Sequence, residues 1–137
     1  MSGIEKRALQ IAVALGSLVP IVAGIAGVLL GPRMLESVAI ASGDLDSHFR
    51  YLSGLLLGIG IGYASTIPRI ETHGRRFRLL TGIVLVGGLS RLLSLAIVGV
   101  PSPSIVAALV MELLVTPALA FWQWRVARLA NGACRAD

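Results

Sequence analysis

The chain alternates long apolar runs with short polar tracts, and four of the runs approach the length of a membrane crossing. They are "ALQIAVALGSLVPIVAGIAGVLL" at 8–30, "HFRYLSGLLLGIGIGYASTI" at 48–67, "LLTGIVLVGGLSRLLSLAIV" at 79–98 and "SIVAALVMELLVTPALAFWQW" at 104–124. A helix needs about 20 such residues to cross a hydrocarbon core about 30 Å thick. Lipid offers the backbone no hydrogen-bonding partner, so continuous runs of this kind form helices. None has the strict alternation of a barrel strand. The expected fold is all-α: a single membrane domain over residues 1–137, built as an antiparallel four-transmembrane-helix bundle. The longest connection, "GPRMLESVAIASGDLDS", is expected to carry a short interfacial helix within "PRMLESVAIA", starting near Pro32.

Composition supports the membrane reading. Of 137 residues, 55% are hydrophobic and 14% charged, too few charges to cover a soluble domain. The net charge of +5 could suggest nucleic acid, but the basic residues flank the apolar runs without any aromatic–basic surface pattern. Lys6, Arg7, Arg69, Arg75, Arg76, Arg78, Arg125, Arg128 and Arg135 fall on one side of the expected topology. Arg33 and Arg50 fall on the other, and Arg91 lies within the membrane. The positive-inside bias therefore places both termini in the cytoplasm, with Trp122 and Trp124 in the inner aromatic belt. The first run follows "EKR" as a secretory signal would, yet it extends past a normal signal core and is expected to remain as a helix. "RIETHGRRFR" is then a cytoplasmic anchor loop in which His73 is expected to be solvated.

Small residues suggest how the helices meet. Gly54, Gly58 and Gly62 recur every four residues in the second helix, and Gly87 and Gly88 are adjacent in the third. Such residues let backbones approach closely in lipid, so these five are assigned to helix packing or to contact with a second copy of the chain. Pro20 and Pro117 interrupt helices one and four. Pro117 removes the donor for the Leu113 carbonyl and is a candidate hinge.

The candidate site comes from the charges inside these runs. Arg91 lies eight residues before Gly99, and Glu112 eight residues after Ser104, so both sit roughly 12 Å below the same end of their helices. An unpaired charge at such depth is costly, and an Arg91–Glu112 ion pair is the economical inference. Arg91 leans toward its own N-terminus, over the space left by Gly87 and Gly88. The polar start of helix two, "SGDLDSHFRY", falls on the same side. Asp44, Asp46 or Ser47 is expected to cap it, while His48, Arg50 and Tyr51 would join Arg91 and Glu112 around an outer-half polar cavity. Asp44, Asp46 and His48 lack the fixed spacing of a calcium loop, so no metal is assigned. No catalytic constellation or cofactor motif is present. The lone Cys134 excludes an intramolecular disulfide.

At "HFRYLSGLLLGIGIG", "IPRIETHGRRFRLLTGIVLVGGLSRLL" and "ALVMELLVTPALAFWQ" the chain resembles a family of small bacterial four-helix membrane proteins known as a domain of unknown function. The resemblance implies this fold and a bacterial inner membrane, multi-pass, and brings no activity with it. Three functions remain open: a non-catalytic protein whose cavity binds a small anionic ligand, a lipid or a membrane-protein partner; an oligomeric small-solute transporter using Glu112; or an enzyme acting on an anionic lipid or isoprenoid. Membrane lipids are the expected surroundings and nucleic acid is excluded as a partner.

Overall fold

A computed structural model of the chain describes residues 3–35 and 42–133. Every regular element among them is helical: α1 (Gly3–Leu30), α2 (Gly43–Ala64), α3 (Gly74–Val98), α4 (Pro103–Val110) and α5 (Thr116–Ala133). A π-helical turn, Met111–Val115, joins α4 to α5, making the two one continuous rod. Four stretches are long and apolar enough to cross a membrane: Gly3–Met34, Gly43–Arg69, Gly74–Val98 and Pro103–Ala130. The all-α class and the four membrane-length helices are as the hydropathy pattern requires. Large apolar side chains lie on the outside, among them Leu15, Val22, Leu93 and Ile97, as suits a multi-pass membrane protein.

The chain divides into two compact units, one of residues Met1–Ile11 with Pro68–Asp137 and the other of Ala12–Ile67. In the second unit, α1 and α2 pack through close backbone approach. A Cβ on Gly24 would lie 2.7 Å from the Leu57 backbone nitrogen, one on Gly60 2.7 Å from Ile21 Cγ1, and one on Gly27 would overlap the Ser53 hydroxyl. A Cβ on Gly54 or Gly58 would meet nothing within 4 Å, so these two take no part in the α1–α2 contact. Successive helical residues are about 100° apart, so Gly60 lies on nearly the opposite face from Gly58. Gly62 is half-buried.

The turn after α1 is set by Gly31, which adopts φ +63° and is followed by Pro32 in a 3-10 turn, Gly31–Met34. A left-handed glycine followed by proline is a strong helix stop. Of the short helix expected from Pro32, only this turn falls in the described residues; residues 36–41 lie outside them. Helix α2 begins at Gly43 rather than His48, and Ser42 caps it by accepting from the Leu45 N–H at 3.2 Å. The cap is therefore Ser42 and not Asp44, Asp46 or Ser47, because the helix extends through the polar tract that hydropathy leaves out.

In the first unit, α3 packs against the α4–α5 rod. Its core gathers toward the basic end, where Leu9, Ile70, Phe77 and Val126 are buried together with Thr81 and Gln123. Toward the other end of α3 side chains are largely exposed, and α4 buries none. Buried hydroxyls in both units bond to their own helix: Ser53 to the Phe49 carbonyl at 2.8 Å and Thr81 to that of Phe77 at 2.9 Å. Local satisfaction of this kind lets polar side chains sit at apolar interfaces.

Candidate functional site

Arg91 and Glu112 are brought together between α3 and the π-turn. Arg91 Nε donates to Glu112 Oε1 at 3.2 Å and also lies 3.2 Å from Oε2, which is buried and has no hydrogen-bond partner. The Glu112 side chain is 17% exposed and that of Arg91 37%. The pair thus uses a single guanidinium donor, and among the described residues the two terminal nitrogens of Arg91 make no hydrogen bond. Gly88 permits the approach: its Cβ would lie 2.7 Å from Leu113 Cδ2 and 3.1 Å from Glu112 Cβ. A Cβ on Gly87 would meet nothing within 4 Å, so of the two adjacent glycines it is Gly88 that serves the contact of α3 with the rod.

The π-turn explains how the rod places Glu112. Thr116 sends both its backbone N–H and its hydroxyl to the Met111 carbonyl, five residues back, the hydroxyl at 2.9 Å. Thr116 N–H is thereby lost to the Glu112 carbonyl, and the next residue, Pro117, has no N–H to offer it. The proline is absorbed as a widened turn, a local form that recurs at functional sites.

Arg50, His48 and Tyr51 belong to the other unit. Arg50 forms a two-pronged pair with Asp46, Nε to Oδ2 at 2.7 Å and Nη2 to Oδ1 at 3.1 Å. Its Nη1 donates to the carbonyls of Val28 at 2.5 Å and Leu29 at 3.1 Å, the last turn of α1. These bonds meet its polar demand locally and cap carbonyls that the helix leaves unpaired. His48 and Tyr51 are exposed on the first turns of α2.

A second polar group lies at the basic end and is not evident from hydropathy. Lys6 Nζ bonds Glu71 Oε1 at 2.8 Å, and Arg125 Nε lies 3.4 Å from Glu5 Oε1. Burial opposes the Glu71 charge, but the Lys6 hydrogen bond, its own backbone donor and the Lys6 and His73 charges outweigh it. The carboxyl is held below its ordinary 4.5. His73 is half-buried, with Nδ1 enclosed and unpartnered, which corrects the expectation of a solvated ring. Gln123 is fully buried and donates Nε2 to the Ile70 carbonyl at 2.8 Å. A lone amide within "AFWQW" was the available sequence signal, since a buried amide requires partners. Arg128 stacks on Trp124 at 4.5 Å from the ring centre, consistent with an interfacial aromatic belt.

A family model described as "Domain of unknown function (DUF4345)" matches residues 8–123. The chain belongs to this family. The match reaches into all four membrane-length segments and includes Arg91, Glu112 and Gln123, and DUF4345 membership attaches no activity to them. No curated protein and no solved structure matches the chain.

Proposed function

We propose that the protein is a non-catalytic membrane binding protein whose Arg91–Glu112 pair receives the acidic group of a lipid-phase ligand. The observation that supports this reading is the incomplete pairing of Arg91. Its Nε meets Glu112 while 37% of the side chain stays exposed in an apolar segment. A guanidinium with terminal donors to spare is suited to a carboxylate or phosphate. Glu112 holds the cation in place and keeps the empty site near neutral. At roughly 12 Å from the helix end the site lies below most headgroups, which favours an amphiphile that carries its acid into the membrane. Oleate is a suitable probe: it should raise the melting temperature of the purified protein, and Arg91→Gln should abolish the rise. An equal rise in Arg91→Gln, or none in the native chain, would overturn the reading.

A transport reading rests on a different observation, the π-turn and Pro117 beside an intramembrane carboxylate. Interconversion of π and α turns would rotate Glu112 away from Arg91 and expose it in alternation. Flux driven by a pH gradient in proteoliposomes, lost in Glu112→Gln, is its signature; flux that survives the substitution rejects it. We place the chain in a bacterial inner membrane with both termini in the cytoplasm, following its arginine distribution. Cys134, the only cysteine, tests the orientation. An impermeant maleimide should label it only after the cells are permeabilised, and labelling of intact cells would reverse the topology.

A further inference from the structure

The start of α3 has the features of an anion site. His73 provides no side-chain cap, no acidic residue occupies the first turn, and Phe77 N–H is already bonded to the His73 carbonyl. The N–H groups of Gly74 and Arg75 are therefore left at the positive end of a 25-residue helix. Arg75 and Arg78 are exposed beside them, and Arg78 Nη1 lies 3.4 Å from the position a Gly74 Cβ would occupy.

Gln123 adds an independent demand at the same place. Its side chain is 0% exposed, and the bond from Nε2 to the Ile70 carbonyl fixes the amide, because the flipped orientation would set oxygen against oxygen. Oε1 is left buried without a donor, 3.5 Å from the same Gly74 Cβ position. His73 Nδ1 and Glu71 Oε2, on the turn leading into the helix, are enclosed and unpartnered as well. Cations and backbone donors thus stand beside two acceptor oxygens, Gln123 Oε1 and Glu71 Oε2, that lack donors. A ligand that satisfies both must accept through an anion and donate through neighbouring groups. With Lys6 and Glu71 paired, Arg75 and Arg78 leave the surroundings positive, which favours neutral hydroxyl donors over an ammonium group.

We propose that the turn around Gly74, with Gln123 beneath it, binds the phosphoglycerol headgroup of an anionic lipid. The phosphodiester takes the Gly74 and Arg75 N–H groups with Arg75 and Arg78, and a glycerol hydroxyl displaces Arg78 from above Gly74 to donate to Gln123 Oε1. The absence of a Gly74 side chain provides the space, since a Cβ there would lie 3.3 Å from the Gln123 amide nitrogen. This site is separate from the Arg91–Glu112 pair and does not depend on the function proposed for it.

The test compares two lipids of equal charge. The full-length protein is placed in phosphatidylcholine nanodiscs doped with phosphatidylglycerol or with phosphatidylmethanol, which has the phosphodiester without hydroxyls, and binding is followed by tryptophan fluorescence. Phosphatidylglycerol should bind about fivefold more tightly, the worth of one added hydrogen bond. Gln123→Leu should erase that preference while retaining affinity for phosphatidylmethanol. If Gln123→Leu does not fold, Gly74→Ala serves the same purpose by filling the space beside an intact amide. Arg75→Gln with Arg78→Gln should weaken both lipids by a similar factor. Equal binding of the two lipids by the native chain, or a preference that survives in the variants, overturns the proposal. Soluble glycerol phosphate should not compete at lipid-equivalent concentration; if it binds as tightly as the lipid, the membrane source is rejected.

Discussion

Gly31 and Arg50 together close the α1–α2 turn. Gly31 holds φ +63°, and a Cβ there would come within 2.6 Å of Asp46 Oδ1 and 2.8 Å of Arg50 Nη2. Those two atoms are bonded to each other, so neither can withdraw without breaking the clamp on the Val28 and Leu29 carbonyls. Gly31→Ala should therefore cost about 1–2 kcal/mol from backbone handedness alone, and more from the clash. Chemical unfolding in detergent would measure it, with Arg33→Ala as a neighbour expected to change little. The same clamp shows why a charge near a membrane surface need not mark a binding site. Asp46 lies at the i,i+4 spacing that a helix pairs, but the other acceptors of Arg50 are backbone carbonyls more than 20 residues away, which no spacing rule reveals.

At the scale of elements, the α3–rod interface depends on one glycine and one charge pair. Gly88 faces Leu113 and Glu112 whereas Gly87 faces open space, so the two adjacent glycines should respond differently to alanine. Gly88→Ala is expected to destabilise by about 1–3 kcal/mol through overpacking, and Gly87→Ala to be near neutral. Thermal melts of the two variants side by side decide the point. Replacing Glu112 by Ala leaves Arg91 unpaired in an apolar segment and should cost about 2–3 kcal/mol. The charge swap Arg91→Glu with Glu112→Arg separates the two roles of the pair. Recovery of stability without oleate binding would identify a ligand site, and recovery of both would identify a strut.

At the scale of the whole molecule, the first unit gathers its buried core and two ion pairs, Lys6–Glu71 and Arg125–Glu5, at the basic end. Lys6–Glu71 ties the start of α1 to the turn before α3, within the unit that carries the buried Leu9, Ile70, Phe77 and Val126. Because Glu71 is held below its ordinary 4.5, its contribution is complete above that value and is lost as pH falls through the lower folded value. The native protein should therefore lose stability on acidification below about pH 4.5 more steeply than Lys6→Met. The difference amounts to roughly 0.5–1 kcal/mol for a partly exposed pair. Unfolding midpoints measured from pH 6 to pH 3 would check it, and parallel curves for the two proteins would refute it.

The number of crossings, their helical form and the asymmetric distribution of arginine are determined by the sequence itself. Each is a property of one segment against lipid, and burial of apolar length and pairing of the backbone are satisfied without reference to any other part of the chain. The nearness of Arg91 and Glu112 was also legible, because a short connection and equal depth leave two opposite charges few other partners. Tertiary structure alone decided which glycines touch a neighbour, since Gly24, Gly27 and Gly60 differ from Gly54 and Gly58 only in the direction they face. It also decided that Ser42 starts α2, that Arg50 belongs to the end of α1, and that Thr116 and Pro117 yield a π-turn. Most consequentially, it enclosed Gln123 beneath the α3 start with its oxygen unsatisfied. Hydropathy scores a residue by its own polarity, whereas burial, orientation and hydrogen-bond satisfaction depend on what the fold brings against it.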